Sequence, residues 1–147
     1  EKNPCALCSK MRKGALNNKV EELGCNKIAL GHNRDDVIET FFMSLFYEGR
    51  IHCFSPYTFL SKKKIASIRP LIYVPEKDVI GFARKQGLPI VKNKCKADGN
   101  TKREEIKNFM KNIGKDFDYF EETVFSAIKR SELEGWGEIN EFLRTGK

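Results

Sequence analysis

Residues 27–36 read KIALGHNRDD, a short apolar run that meets a glycine and then polar and acidic residues. The apolar run predicts a short buried strand, and Asp36 predicts the start of a helix, where it can pair with Glu39 in a capping box. Ligands of open α/β sheets bind beyond the carboxyl ends of the strands. Gly31 lets the backbone approach a ligand closely, and free N–H groups at a helix start favour phosphate. This segment is therefore a candidate phosphate-binding site.

Two aspartates, a histidine and a distant arginine are the candidate side chains of this site. Asp35 and Asp36 can hold Mg²⁺ bound to a nucleotide, because carboxylate oxygens suit this cation. Asp36 can equally be only a helix cap, and His32 can be an ordinary hydrogen-bonded surface residue. Arg69, at the end of a later predicted strand, can contact phosphate or remain solvated. The residues alone leave these alternatives open.

The remaining pattern alternates between helices and strands, which predicts an α/β fold with a parallel sheet and helices on both of its faces. The predicted elements are a helix from Ser9 to about Leu23, the strand at 27–30, a helix from Asp36 to Gly49, a hairpin of strands 54–60 and 65–71, a helix from Pro75 to Gln86, an extended segment at 88–91, and helices capped by Thr101 and Asp118.

Two regions follow from this pattern: an α/β region at 1–95 and a helical C-terminal extension at 96–147. Weak periodicity after about residue 130 predicts partial disorder there. In the first helix, one side is predicted to be buried and consists of Met11, Ala15, Val20 and Leu23. In the extension, the predicted buried residues are Ile106, Phe109, Met110, Ile113, Val124, Phe125 and Ile128.

Composition narrows the class of protein. The chain has 147 residues, 40% of them hydrophobic, so it can build one core. Its 27 Lys and Arg against 20 Asp and Glu give a net charge of +7, which suits an anionic partner such as nucleic acid.

No apolar run is long enough to span a membrane, and no signal peptide is visible, so we expect a soluble cytoplasmic protein. The first residue is Glu1 rather than Met, which suggests a piece of a longer protein.

Five cysteines in such a protein indicate metal or redox chemistry rather than disulfides. Cys5 and Cys8 form a Cys-x-x-Cys pair that can place two thiolates on one metal, with a redox pair or two ordinary thiols as the alternative. Cys95 lies between lysines in a polar loop, where positive charge favours a thiolate, and is the candidate third ligand. Three thiolates would leave one iron of a cubane cluster open.

The other two cysteines have a structural interpretation. Cys25 follows the glycine that ends the first predicted helix, and Cys53 begins a predicted strand. Nevertheless, His52 or Cys53 can complete a four-ligand zinc site with Cys5, Cys8 and Cys95, since all four positions of a structural zinc are filled by protein ligands. Zinc and iron therefore remain alternative metals at this stage.

Taken together, these segments resemble the tRNA 2-thiocytidine synthetases of the PP-loop ATP pyrophosphatase superfamily. The similarity runs in order from about residue 4 to residue 128. GHNRDD alone also suits related tRNA-modifying PP-loop enzymes, whereas the cysteine pair, its spacing to Cys95 and the ETVFSA segment indicate the thiocytidine branch. The matching segments are CALC with RKG, KIALGHNRDD, ET with FY, IRPL with EKD, PI, Cys95, Asn100 and ETVFSA.

The resemblance implies a Rossmann-like fold and a specific chemistry. Family members adenylate a cytidine of the tRNA anticodon loop with ATP and Mg²⁺, and then replace its activated oxygen with sulfur. Cysteines matching Cys5, Cys8 and Cys95 hold a [4Fe-4S] cluster whose free iron carries the incoming sulfur. The implied nucleotide-site residues are Gly31, His32, Asp35 and Asp36. A cysteine desulfurase supplies the sulfur, and members are commonly homodimers.

The chain also departs from the family pattern. The family's Ser-Gly-Gly-x-Asp-Ser phosphate loop is absent from the 147 residues, so we expect the chain alone to be inactive toward ATP. Around Cys95, Lys92 replaces a cysteine found in many relatives, and KAD at 96–98 replaces Gly-Ser-Gln. Asn33 follows His32 where relatives often have a second histidine. These changes leave the three-cysteine set intact.

Three hypotheses follow from the sequence. The first is a tRNA sulfurtransferase, the second a zinc-stapled relative, and the third a nonenzymatic basic RNA-binding module, which leaves GHNRDD unexplained. Under the first, clustered lysines are predicted to contact tRNA phosphates and to make binding steeply salt-dependent. These lysines are Lys62, Lys63, Lys64, Lys92, Lys94 and Lys96.

Overall fold

A computed structural model of the chain describes residues 4–91, Cys95 and residues 101–137. Up to residue 85 the helices and strands follow the order that the sequence predicts, and two further helices come after them. None of the described helices is long and apolar enough to cross a membrane. The elements, in chain order, are α1 (Pro4–Glu22), β1 (Lys27–Ala29), α2 (Arg34–Glu48), β2 (Tyr57–Leu60), β3 (Ile65–Ile68), α3 (Glu76–Lys85), α4 (Lys102–Ile113) and α5 (Phe120–Arg130).

The described strands form one small mixed sheet in the order β1-β3-β2. β1 and β3 are parallel, with Ala29 opposite Ile68, and α2 lies in the connection between them. β2 and β3 form the predicted hairpin and are antiparallel. The sheet is therefore parallel only at the β1–β3 pair, and residues 88–91 add no strand to it.

Capping residues fix where most helices begin and end. Asn33 caps α2 and forms a capping box with Asp36, and Gly49 ends the helix in a left-handed conformation with φ 63°. The cap predicted at Asp36 is therefore wrong by three residues, because Asn33 is an equally good cap placed one turn earlier. Thr101 caps α4 as predicted, accepting from the Glu104 N–H at 3.3 Å.

The predicted caps of the first and last helices are wrong. α1 begins at Pro4 rather than near Ser9, because proline suits a first helical turn. Only Val20 of its predicted buried side is buried, while Met11 and Leu23 are exposed. α5 begins after Tyr119, in a left-handed conformation with φ 59°, and no side chain of Asp118 caps it.

Two buried clusters hold the described part together. The smaller one places Val20 of α1 against Ile28 and Ile65 of the sheet. The larger one joins α2, α4, α5 and the segments around Cys53 and Trp136, where Trp136 is only 1% exposed. Trp136 thus packs into this core, although it lies in the part after residue 130 for which the sequence predicts partial disorder. Residues 138–147 lie outside the described residues.

Candidate functional site

The ends of the two parallel strands lie side by side and form the floor of the candidate site. The Leu30 N–H donates to the Ile68 carbonyl at 2.9 Å, so Gly31 and His32 leave β1 beside the point where Arg69 leaves β3. A Cβ added at Gly31 would meet no atom within 4 Å, and its φ is not positive. Neither packing nor backbone conformation requires glycine there, so the open space beside it is available to a ligand.

His32 and Arg69 share an aromatic support. The His32 ring lies 4.7 Å from the Phe54 ring, and the Arg69 guanidinium lies 4.9 Å from the same ring. Burial lowers the pKa of His32; the Asp36 carboxylate opposes this effect, and the Arg69 and Arg103 charges add to it. His32 is therefore a neutral imidazole near pH 7, and its buried Nδ1 has no hydrogen-bond partner among the described residues.

Arg69 is held by neutral oxygens rather than by a carboxylate. One guanidinium nitrogen donates to the Ser55 carbonyl at 2.6 Å and lies 3.3 Å from the Thr58 hydroxyl. Half burial lowers the pKa of Arg69 below its ordinary value, but the group stays charged at neutral pH. The charge of Arg69 therefore has no ionic partner among the described residues. Its half-buried position beside two neutral oxygens distinguishes it from the solvated arginine of the alternative interpretation.

Asp35 and Asp36 both have structural partners. Asp35 Oδ2 accepts the backbone N–H of Glu76 at 2.7 Å and thereby caps α3, which has no cap of its own. Asp36 Oδ2 accepts the Asn33 N–H at 3.0 Å, completing the capping box of α2. The helix-capping role considered for Asp36 is therefore present, as the third helical residue of the box rather than as the cap itself.

Arg34, which the sequence did not single out, ties the strand-end segment to the last helix. Its side chain is buried and lies 3.0 Å from Glu121 and 3.2 Å from Glu122 at the start of α5. Two carboxylates at a helix N-terminus are also favoured by the helix dipole. Arg34 therefore acts as an anchor of the fold, and its contacts are too distant in sequence to be seen in a local pattern.

A second group of charges joins α2 to α4. Glu39 is buried on the α2 face that meets α4, where its carboxylate lies 2.6 Å from Arg103 and 3.5 Å from Lys107. Arg103 also reaches Asp36 at 3.2 Å. Burial raises the pKa of Glu39, with Arg103 opposing this effect. The sequence feature that could have identified this cluster is the position of Glu39 on the apolar side of a predicted helix, between Ile38 and Phe42.

A cavity of about 640 Å³ opens between α1 and the sheet. His32, Arg69 and Ser67 line it from the sheet side, and Arg12 and Lys13 line it from α1. The sequence analysis identified His32 and Arg69 but not the two basic residues of α1. The sequence feature that could have identified Arg12 and Lys13 is their position one helical turn after the cysteine pair.

The predicted metal ligands are exposed but are not gathered into a closed site. Cys5 and Cys8 lie in the first two turns of α1, and both are exposed, as is Cys95. Within residues 4–91, 95 and 101–137, no three His, Cys, Asp or Glu side chains are close enough to hold a metal. Accessible thiols are nonetheless the donor type that iron–sulfur clusters use, and Cys5 and Cys8 share one helix face.

Cys53 lies in the interior of the protein. It is buried in the larger core cluster, and burial raises its pKa to about 11. This position agrees with the structural interpretation of Cys53, whereas Cys25 is exposed and lies in neither core cluster of the described residues.

The family model for the PP-loop domain matches residues 6–113 of this chain. The match covers α1 from its third residue, the described sheet, α2, α3 and α4, including the strand-end segment and the cavity. The chain belongs to the PP-loop domain family, and the resemblance seen in the sequence is confirmed.

Similarity to individual proteins gives more detail than the family match. The chain is 42% identical over 130 residues to the tRNA-cytidine(32) 2-sulfurtransferase of Teredinibacter turnerae, covering 88% of this chain and 43% of that protein. It is 38% identical over 142 residues to the enzyme of the same name from Cellvibrio japonicus, covering 96% and 47%. The chain thus spans less than half the length of these relatives.

A solved structure supports the fold. The U34-tRNA thiolase NcsA from Methanococcus maripaludis with its [4Fe-4S] cluster matches with a TM-score of 0.68 and 26% identity. The match covers 87% of this chain and 43% of that chain. The α/β architecture predicted from the sequence is confirmed by this likeness.

Proposed function

We propose that this protein acts in tRNA thiolation, as a sulfurtransferase that replaces the C2 oxygen of an anticodon-loop cytidine with sulfur. The observation that carries the proposal is the similarity to tRNA-cytidine(32) 2-sulfurtransferases over 88% and 96% of this chain. The tRNA thiolase likeness, at 26% identity, supports the same class of reaction.

The proposed reaction has two steps. The cytidine C2 oxygen attacks the α-phosphorus of ATP, and the bond to pyrophosphate breaks. A sulfur nucleophile then bonds to C2, and AMP leaves with the former C2 oxygen. In this proposal, Gly31, His32 and Arg69 line the nucleotide site, where the open space at Gly31 and the charge of Arg69 suit a phosphate.

Asp35 and Asp36 are the proposed Mg²⁺ ligands. The recorded bonds leave acceptor capacity, because an ionised carboxylate offers about four lone-pair positions. Asp35 uses one oxygen for the Glu76 N–H, and Asp36 uses its two oxygens for Asn33 and Arg103. Replacing either residue would therefore disturb helix positions as well as a metal, so such variants do not separate an enzyme from an RNA-binding module.

Cys5, Cys8 and Cys95 are the proposed ligands of a [4Fe-4S] cluster. When bound, such a cluster supplies an iron without a protein ligand that can carry sulfur. The start of α1 presents Cys5 and Cys8 to solvent, which leaves the pair accessible to a cluster and to a sulfur donor. We further propose a cysteine desulfurase as the sulfur source and a homodimer as the assembly.

The tRNA is proposed to contact basic side chains near the site. Lys62 and Lys64 lie in the exposed hairpin turn, whereas Lys63 of the same turn lies 2.7 Å from Glu21 and is partly neutralised. Lys92, Lys94 and Lys96 lie outside the described residues. Phosphate contacts of this kind make tRNA binding fall steeply with rising salt, and salt-independent binding would contradict this part of the proposal.

The decisive test measures iron, sulfide and zinc in protein purified without oxygen. Wild type is compared with Cys5→Ser, Cys8→Ser and Cys95→Ser, and Cys25→Ser serves as the matched exposed-cysteine control. We expect iron and sulfide in cluster proportion in the wild type and the control, and their loss in the other three variants. Stoichiometric zinc that survives Cys95→Ser would instead establish a structural metal site.

A functional test follows in the full-length protein. We expect Cys95→Ser to abolish thiolation of cytidine in tRNA while circular dichroism and the unfolding midpoint remain those of the wild type. Unchanged thiolation in this variant would rule out Cys95 as a cluster ligand required for sulfur transfer.

A further inference from the structure

The segment that supports His32 and Arg69 belongs to no helix or strand. Residues 50–56 connect α2 to β2, and they include Phe54, whose ring contacts both side chains. They also include Ser55, whose carbonyl accepts a hydrogen bond from Arg69. Because such a segment has no helical or strand bonds of its own, its position is set by what packs against it. The geometry of Arg69 therefore depends on the neighbours of this supporting segment.

Residues 131–137, which follow α5, are one such neighbour. Trp136 and Cys53 are 1% and 3% exposed and belong to the same core cluster. Leu133 and Phe54 are partly buried and pack against this cluster. One hydrophobic core thus holds both the residues after α5 and the supporting segment, so a change in either one is transmitted to the other.

Gly135 lies directly against the supporting segment. A Cβ added to Gly135 would lie 2.5 Å from the Cβ of Ser55 and 2.8 Å from its Oγ. The same Cβ would lie 3.7 Å from the Tyr57 carbonyl oxygen. Among the described glycines, only Gly135 combines a positive φ, here +75°, with a contact of this kind. The absence of a side chain at residue 135 therefore allows the backbone to approach Ser55 closely.

Ser55 is connected to the Arg69 guanidinium in two ways. Its carbonyl accepts from one guanidinium nitrogen at 2.6 Å. Its hydroxyl lies 3.3 Å from the Thr58 hydroxyl, which itself lies 3.3 Å from the same nitrogen. The Arg69 backbone N–H also donates to the carbonyl of the next residue, Pro56, at 3.0 Å. A displacement of Ser55 would therefore move the acceptors that orient the guanidinium.

We propose that Gly135 is a positioning residue of the site, which fixes the Ser55 carbonyl and thereby orients the Arg69 guanidinium. The inference rests on the proposed function, in which Arg69 lines the nucleotide site, and extends it to the residues that follow α5. The role of Gly135 is indirect, because it acts through Ser55. A methyl group at residue 135 would push Ser55 away and withdraw its carbonyl from Arg69.

NMR of the isotopically labelled 147-residue chain tests the proposal without any ligand. The guanidinium N–H groups of Arg69 should exchange slowly with water, since they are half-buried and held by the Ser55 carbonyl. In Gly135→Ala we expect this exchange to accelerate by about tenfold or more, the effect of losing one hydrogen bond to a charged group.

Gly87→Ala is the matched control for backbone strain. Gly87 has a φ of +60°, but a Cβ there would meet nothing within 4 Å. The variant should therefore carry similar strain and leave the exchange of the Arg69 guanidinium within about twofold of the wild type.

Two further variants separate the contact from a general loss of stability. Ser55→Gly removes the Cβ and Oγ that the new methyl group would meet. In that background, Gly135→Ala should change the exchange of Arg69 by less than about twofold. Leu133→Ala loosens the residues after α5 without adding a clash, and it should accelerate the exchange in the same direction as Gly135→Ala, which covers the case in which Gly135→Ala does not fold.

Kinetics of the full-length protein give the functional readout. We expect Gly135→Ala to raise the KM for ATP by about fivefold or more, because a displaced guanidinium gives up part of a charged hydrogen bond. The KM for tRNA should stay at the wild-type value, and Gly87→Ala should change neither constant.

Wild-type exchange of Arg69 in folded Gly135→Ala would overturn the positioning role, as would an equal acceleration in Gly87→Ala or no suppression by Ser55→Gly. A KM for ATP that stays unchanged while the exchange accelerates would also overturn it, because the oriented guanidinium would then not serve the nucleotide site.

Failure of this inference is distinguishable from failure of the proposed function. If iron and sulfide depend on the three cysteines but Arg69 exchange ignores Gly135, the positioning role is wrong and the sulfurtransferase proposal stands. If Arg69 exchange depends on Gly135 but no cluster forms, the contact between the two segments stands and the proposed sulfur chemistry is wrong.

Discussion

Asp35 Oδ2 accepts the backbone N–H of Glu76 at 2.7 Å, so an aspartate at the start of one helix caps the start of another. This bond joins α2 to α3 beside the strand ends and accounts for an acidic residue that would otherwise be read only as a metal ligand.

Removing this cap should lower stability by a modest and measurable amount. We expect Asp35→Ala to reduce the free energy of unfolding in urea by about 1 kcal/mol, the usual effect of losing a capping acceptor, and Asp35→Asn to cost less. Asp118→Ala is the control, because Asp118 is exposed and caps no described helix. An equal effect of Asp118→Ala would contradict the assigned role of Asp35.

Glu39 and Arg103 should be energetically coupled. Arg103→Gln leaves the buried Glu39 carboxylate with only Lys107 at 3.5 Å, and Glu39→Gln in the same chain removes that uncompensated charge. We expect a coupling energy of about 1–2 kcal/mol in the double-mutant cycle, the lower range for such pairs because Arg103 is partly exposed. The exposed Lys102–Glu105 pair provides the control cycle and should show little coupling. Additive effects of the Glu39 and Arg103 variants would show that the two side chains act independently.

His32 should make stability depend on pH below neutrality. Burial lowers its pKa below the ordinary 6.5, so the unfolded chain takes up a proton before the folded protein does. Stability is therefore lost as the pH falls through the unfolded value, and lowering the pH from about 7.5 to about 5.5 should destabilise the wild type more than His32→Gln. The exposed His52, the other histidine of the chain, provides the control variant His52→Gln. Equal pH dependence in wild type and His32→Gln would contradict this assignment.

Gly135 should tolerate no side chain. Its φ is +75°, and an added Cβ would lie 2.5 Å from the Cβ of Ser55. Gly135→Ala combines a left-handed conformation with a close contact to a short side chain, and we expect a loss of about 1–3 kcal/mol in unfolding free energy. Gly137→Ala is the matched control, since a Cβ there meets nothing within 4 Å. A stability of Gly135→Ala equal to that of the control would show that residues 131–137 do not pack as described.

Local patterns predicted the order of the elements, the hairpin turn at residues 61–64, the end of α2 at Gly49 and the Thr101 cap of α4. They failed where two local signals compete or where the deciding contact is remote. Asn33 and Asp36 are both residue types that cap helices well, and only the hydrogen bonds of the capping box between them show that Asn33 is the N-cap. Arg34 meets Glu121 across 87 residues, a contact that no local periodicity contains.

The candidate site was predictable in part for the same reason. The position of Gly31 and His32 at a strand end follows from apolar runs and a glycine, which are local. The support of Phe54 beneath His32 and Arg69 depends on how three segments meet in space. Arg12 and Lys13 belong to the RKG segment that matches the family pattern, but only the placement of α1 against the sheet shows that both line the cavity.

Trp136 gives the chain a built-in optical reporter. It is the one tryptophan of the sequence, and it is almost fully buried with its indole 5.7 Å from the Phe125 ring in an edge-on contact. All indole emission therefore comes from a single dry environment at the junction of 131–137 with α5. A red shift in emission that precedes the loss of helical circular dichroism would reveal detachment of this short segment before global unfolding. The same wavelength shift can show, without any added label, whether a bound partner tightens or loosens that junction.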